Sequence, residues 1–132
     1  SRGLGDVYKR QWVDHCYAAD TPAAIIARLR EREEPEAQKA ADRLESLSPT
    51  AISVTLAAVR RARQARSLGT VLKTEYRTTC AHVRGHDFPE GIRALLVDKD
   101  KSPHWRPATL DEVTADDVDA YFLEPASGDL EL

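Results

Sequence analysis

From Asp14 onward, apolar positions recur at helical spacing between cap and proline signals, so the chain reads as one helix after another. Thr21-Pro22 is a side-chain cap followed by proline at the first helical position. Ile25, Ile26 and Leu29 then share one face, and the charged stretch ending at Pro35 stops that helix. From Glu36, the positions Ala37, Ala40, Ala41, Leu44 and Leu47 trace the next stripe. Ser48-Pro49 repeats the cap-plus-proline signal, and Ile52, Thr55, Leu56 and Val59 come after it. Ser67 caps a fourth helix carrying Val71, Leu72, Tyr76, Cys80 and Val83, which Gly85 ends. Asp87-Phe88-Pro89-Glu90 has the form of a capping box, and Phe88, Ile92, Leu95 and Leu96 continue it as an apolar stripe. Pro103 and Pro107 break the chain into a loop around Trp105. Thr114-Ala115-Asp116-Asp117 opens a last short helix with Val118, Tyr121 and Phe122 on its apolar face. No strand pattern, repeat or domain boundary is visible after residue 12, so the expected fold class is all-α.

Composition narrows this picture. The 132 residues have the size of one domain with a modest core. A formal net charge of −3 favours neither nucleic acid nor a membrane surface. No apolar stretch approaches the ~20 residues that a membrane span needs. The first residues lack the apolar region of a signal peptide. Cys16 and Cys80 are too few for a disulfide framework and are expected as reduced thiols. Residues 1–11 show no apolar period and no cap signal leading into residue 12. They resemble read-through of a sequencing adapter and are expected to be an unstructured scar, dispensable and unpacked.

Residues 12–132 carry a family resemblance. Its pieces run in order: Cys16-Tyr17, then Ile25-Ile26 and Leu29, then Ser48-Pro49-Thr50, then Glu75-Tyr76-Arg77. Arg84-Gly85-His86-Asp87-Phe88-Pro89-Glu90-Gly91 comes next, then Val97-Asp98-Lys99-Asp100 and Ser102-Pro103-His104-Trp105, with Asp129-Leu130 near the end. This series resembles the carboxy-terminal part of the 3-hydroxyisobutyryl-CoA hydrolase branch of the crotonase (enoyl-CoA hydratase/isomerase) superfamily. The Asp-Phe-x-Glu-Gly piece is shared across the superfamily. The Asp-Lys-Asp and Ser-Pro-x-Trp pieces favour the hydrolase branch over a hydratase/isomerase paralogue, which is the alternative.

The resemblance implies the helical carboxy-terminal part of a crotonase-type α/β enzyme that hydrolyses an acyl-CoA thioester in valine breakdown. Such an enzyme uses an oxyanion hole of two backbone N–H groups and acidic residues near the acyl carbon. Those parts belong to an amino-terminal core that this chain lacks, so no residue here is assigned a catalytic role. That core and the acyl-CoA are the implied partners. No cofactor is implied beyond the coenzyme A of the substrate. The implied location is the bacterial cytoplasm, or the mitochondrial matrix in a eukaryote. The helices would cover the acyl pocket and exclude water. Tyr76, Phe88 and Trp105 are then candidate pocket walls, and Lys99, Lys101 and Arg106 are candidate contacts to the nucleotide or phosphates of coenzyme A. Trp105 is expected to fold back onto the helix carrying Phe88, Ile92 and Leu95 and to be largely buried.

Other constellations point elsewhere and are weaker. The basic cluster Arg60, Arg61, Arg63 and Arg66 would suit nucleic acid if it formed one exposed patch. It lacks interleaved aromatics and sits where a helix carboxy terminus favours cations, so nucleic acid is not an expected partner. Cys80, His82 and His86 do not share a helical face, and no metal site is expected. No hydroxyl sits in a nucleophile-elbow pattern. A free-standing helical interaction module is the rival from another class. It would cover its apolar surface, whereas a piece of a larger fold would leave a wide apolar face open.

Overall fold

Side-chain caps and prolines set where most of the helices start. The computed structural model describes residues 2–132, and Ser1 lies outside the described residues. Among these residues there are seven α-helices and no strand, so the fold class is all-α as expected. They are α1 (Arg2–Tyr17), α2 (Pro22–Arg30), α3 (Pro35–Ser46), α4 (Pro49–Gln64), α5 (Leu68–Arg84), α6 (Asp87–Ile92) and α7 (Ala115–Ala120). A π-helical segment, Arg93–Val97, continues α6, and a 3₁₀ turn, Leu110–Glu112, precedes α7. Thr21, Ser48, Ser67 and Thr114 each accept the backbone N–H three residues on, at 3.1–3.2 Å. Each satisfies one of the donors that a helix start leaves without a partner. At α7 the box is complete, because the Asp117 carboxylate accepts the Thr114 N–H in return.

The backbone divides into two compact units, one ending at Leu47 and one running from Ser48 to Leu132. This corrects the expectation of no boundary after residue 12. The break is local chemistry: Pro49 disfavours helical geometry at the residue before it, and both Leu47 and Ser48 are extended.

In the first unit, α2 packs on α1 and α3. Its core is Trp12, Cys16, Ala19, Ile25, Ile26, Leu29, Ala37 and Ala41. Burial pushes the Cys16 thiol up from its ordinary pKa, which disfavours the thiolate. The Gln38 amide donates to the carbonyls of Leu29, Arg30 and Arg32, so α3 supplies partners to the carboxy-terminal end of α2. Arg30 spans from α2 to Asp42 and Glu45 of α3 at 2.7 and 2.8 Å.

Residues 2–11 are helical, which corrects the expectation that this stretch is unstructured. Trp12 and Cys16 anchor one face of α1, and nothing amino-terminal to them breaks the hydrogen-bond ladder. The extension is exposed from Gly3 to Gln11, including Leu4, Val7 and Tyr8.

In the second unit, α4 packs against α5, α7 and the 3₁₀ turn, and α6 packs against α5. Val54, Ala94 and Phe122 are its buried apolar side chains, with Ser48, Thr50 and Thr78 as buried polar ones. The carboxy-terminal residues are tied back by Arg77 of α5. Its Nε donates to Asp129 at 2.8 Å, its Nη2 bonds the other oxygen of that carboxylate, and its Nη1 donates to the Phe122 carbonyl at 3.1 Å. Two of the recognisable sequence pieces, Glu75-Tyr76-Arg77 and Asp129-Leu130, thus meet in space. Arg77→Met is expected to release the segment after Phe122. Carboxypeptidase digestion should then remove it faster than in the parent chain, with helical circular dichroism retained.

Candidate functional site

The candidate residues gather on α6 and the turn beyond it. Asp87, Glu90, Gly91 and Ala94 fall at i, i+3, i+4 and i+7, so they share one helical face. The two carboxylates on this face do not form the expected capping box. His86 is the cap residue, it makes no side-chain cap bond, and Asp87 lies inside the helix. Asp87 instead accepts the Ser48 hydroxyl at 2.6 Å and the Arg106 N–H at 2.9 Å, with His86 Nδ1 at 2.8 Å. Glu90 accepts the His104 N–H at 2.8 Å and a two-pronged contact from Arg93 at 2.7 Å. The chain on both sides of Trp105 is thereby clasped to α6.

Trp105 lies between these two tethers, over Gly91. A methyl group added at Gly91 would sit 3.3 Å from the ring atom Cη2, so glycine leaves the room the indole occupies. The ring does fold back onto the helix of Phe88 and Ile92. It is neither exposed nor fully buried. Two backbone tethers place it there, rather than enclosure in a core. The peptide bond Arg106–Pro107 is cis.

Phe88, Ile92 and Leu95 fall on the face next to the clasp. Phe88 is 50 % exposed, Leu95 61 %, Leu96 63 % and Val97 70 %. No element of the second unit covers this stripe. The π-helical widening at Arg93–Val97 turns Ala94 into the core and leaves Leu95, Leu96 and Val97 outward. A run of this kind is far from the scattered single exposed apolar residues of an ordinary surface.

The turn after the π segment is built around Arg93. Its Nη1 donates to Asp98 at 2.8 Å and Asp100 at 2.7 Å, and its Nη2 donates to the Ser102 carbonyl at 3.3 Å. Lys99 and Lys101 both have left-handed backbone, with φ of 56° and 57°, and both are exposed. Of the candidate site residues, Phe88, Lys99, Lys101, Trp105 and Arg106 therefore belong to one helix-and-turn assembly. Tyr76 is half-buried on α5 and is not part of it.

Arg93 and the His104 N–H hold the Glu90 carboxyl at about 2, far below its ordinary 4.5. Arg93 also lowers Asp100. A carboxylate with a depressed folded-state pKa stabilises the fold above its unfolded value, and that contribution disappears as pH falls towards the folded value. The clasp is expected to loosen between about pH 4.5 and pH 2. Protection of the His104 amide, its exchange rate relative to unstructured chain at the same pH, should fall in that window and stay level from pH 5 to 7.

The remaining clusters are internal. Arg61 lies 3.7 Å over the Phe122 ring and 3.5 Å from Asp119, so the basic run does not present four arginines as one exposed patch. His82 meets Tyr121 with ring centroids 4.8 Å apart, and burial lowers its pKa. A groove of about 340 Å³ runs between α4 and α5, lined by Val54, Ala58, Val59, Val71, Thr78 and His82 among others.

The sequence profile described as enoyl-CoA hydratase/isomerase matches residues 4–122, and the chain belongs to that family, the crotonase superfamily. The match also takes in residues 4–11, which corrects the expectation that they lie outside the resemblance. Among curated relatives, the mitochondrial 3-hydroxyisobutyryl-CoA hydrolase of Mus musculus is 40 % identical over 118 residues, covering 89 % of this chain and 30 % of the relative. The Homo sapiens enzyme is 39 % identical with the same coverage. The chain thus spans about a third of the length of these relatives. Among solved structures, a carnitinyl-CoA dehydratase from Mycobacterium thermoresistibile superposes with a TM-score of 0.84 at 50 % identity, over 92 % of this chain and 35 % of that one. An enoyl-CoA hydratase from Rhodobacter sphaeroides 2.4.1 gives 0.78 at 34 % identity, over 86 % and 34 %. No helix among the described residues is long and apolar enough to cross a membrane.

Proposed function

We propose that the chain is the carboxy-terminal helical portion of an acyl-CoA thioester hydrolase acting on 3-hydroxyisobutyryl-CoA in valine catabolism. The carrying observation is the identity with mitochondrial 3-hydroxyisobutyryl-CoA hydrolases over nearly the whole chain. The open face of Phe88, Leu95, Leu96 and Val97 supports it, because a larger catalytic core would cover such a face. In this reading the core supplies the oxyanion hole and the catalytic acids. The present chain walls the acyl pocket with Phe88 and Trp105 and meets the nucleotide or phosphates through Lys99, Lys101 and Arg106. No cofactor is needed beyond the coenzyme A of the substrate. The protein works in the mitochondrial matrix of a eukaryote or the cytosol of a bacterium.

A second reading has its own observation. The 50 % identity with a solved carnitinyl-CoA dehydratase favours addition or loss of water at an enoyl-CoA double bond. Both reactions are assayed on the full-length protein that contains this chain. Release of free thiol from 3-hydroxyisobutyryl-CoA supports the hydrolase. Loss of enoyl-thioester absorbance without thiol release replaces it with the hydratase or dehydratase. The chain alone is expected to do neither. Thiol release by the purified chain alone would place the catalytic groups inside it and overturn the proposal.

A further inference from the structure

We propose that Arg93 is a positioning residue that both shapes the Asp98–Ser102 turn and occupies its acids, leaving Lys99 and Lys101 available to an anionic group of the substrate. The part concerning substrate rests on the acyl-CoA reading above; the part concerning the turn does not. Every nitrogen of the guanidinium is engaged. Nε and Nη2 meet Glu90, Nη1 meets Asp98 and Asp100, and Nη2 also reaches the Ser102 carbonyl. The backbone is tied to the same residue and its neighbour. The Asp98 N–H donates to the Arg93 carbonyl at 2.8 Å, and the Lys101 N–H donates to the Ala94 carbonyl at 3.0 Å.

Two features of the turn need an explanation that ordinary turn formation does not supply. Left-handed backbone is unfavourable for residues with a Cβ, and lysine has no short polar side chain to offset it. Here two lysines adopt it, on either side of Asp100. Such conformations persist where surrounding bonds over-determine them, and the Arg93 network is what surrounds this pair. The second feature is charge pairing. Asp98 and Asp100 are next to these lysines in the chain, yet both carboxylates are bound to Arg93. Neither lysine has an ion-pair partner among the described residues. An arginine fork holds carboxylates more firmly than a lysine point charge does, so the acids stay with Arg93 and the lysines stay free.

The test uses Arg93→Met, which keeps the stem and removes the fork, and the double variant Asp98→Asn/Asp100→Asn, which removes exposed partners without touching a helix. Both are expected to speed amide exchange at Lys101 and Ser102 by about tenfold or more while α5 amides keep their protection. Unchanged exchange at those two amides in both variants, or a general loss of protection in both, overturns the positioning role. Coenzyme A is then titrated into the full-length protein that contains the chain. Lys99→Ala/Lys101→Ala is expected to weaken binding about tenfold in the parent and hardly at all in the Arg93→Met background, the mark of coupled residues. A lysine effect of equal size in both backgrounds overturns the link between Arg93 and the lysines. If the parent binds coenzyme A but the lysine variants lose nothing, the substrate part fails. If the parent does not bind it at all, the acyl-CoA reading fails, and the exchange result alone decides whether Arg93 holds the turn.

Discussion

Leu29→Ala is expected to lower the stability of the α1–α3 unit by roughly 3–4 kcal/mol, the range in which a fully buried leucine leaves an unfilled cavity. Leu29 has no exposed surface and lies on the helix that packs against both α1 and α3. The buried core of its unit includes several small or short side chains, Ala19, Ala37, Ala41 and Cys16 among them. These cannot swing inward to fill the space, so the cavity cost is retained rather than relaxed away. A unit of this size buries little surface per residue and has little stability to spare. Urea titration monitored by helical circular dichroism should show an earlier transition, and amides of α2 should exchange at rates close to those of unfolded chain. A midpoint shift no larger than that of an exposed substitution such as Arg43→Ala would mean that Leu29 is not the keystone of this unit.

What could be read in advance from the residues divides along the range of the interactions. Caps are local. Thr21, Ser48, Ser67 and Thr114 each bond an amide three residues on, so the sequence alone named all four helix starts. Stripes inside one unit were also legible, because Ile25, Ile26 and Leu29 can only face the neighbouring helices. The Asp87 box looked equally local but was taken over by Ser48 and Arg106, whose separations of 39 and 19 residues carry no local periodic signal. Arg93 went unnoticed for the same reason. Its one sequence cue was a single arginine preceding two acids and two lysines in a turn. Phe88, Leu95 and Leu96 show the helical period and stay exposed: period identifies an apolar face but does not identify what covers it. The helical state of residues 2–11 was missed because that stretch has no buried stripe of its own and extends a helix anchored further along the chain.

Asp87→Ala is expected to cost about 3 kcal/mol, since it removes the acceptor for several donors at once and leaves a buried one unsatisfied. The Ser48 hydroxyl is the critical donor. Ser48 is 6 % exposed, and its oxygen already accepts the Ala51 N–H as the cap of α4, so its proton has only the Asp87 carboxylate to go to. The Arg106 N–H is more exposed and can turn to water, which limits its share of the loss. Ser48→Ala should cost less, about 1 kcal/mol, as the loss of a cap. In the double variant the two costs should not add, because the unsatisfied hydroxyl is gone; a coupling of roughly 1–2 kcal/mol is expected for residues in direct contact. The same substitution unties one side of the Trp105 clasp. Indole fluorescence in a Trp12→Phe background should therefore shift towards that of a water-exposed ring, with no such shift for Ser48→Ala. Additive costs would show that the carboxylate does not act through Ser48, and a Trp105 signal indifferent to Asp87 would show that Glu90 holds the loop without it.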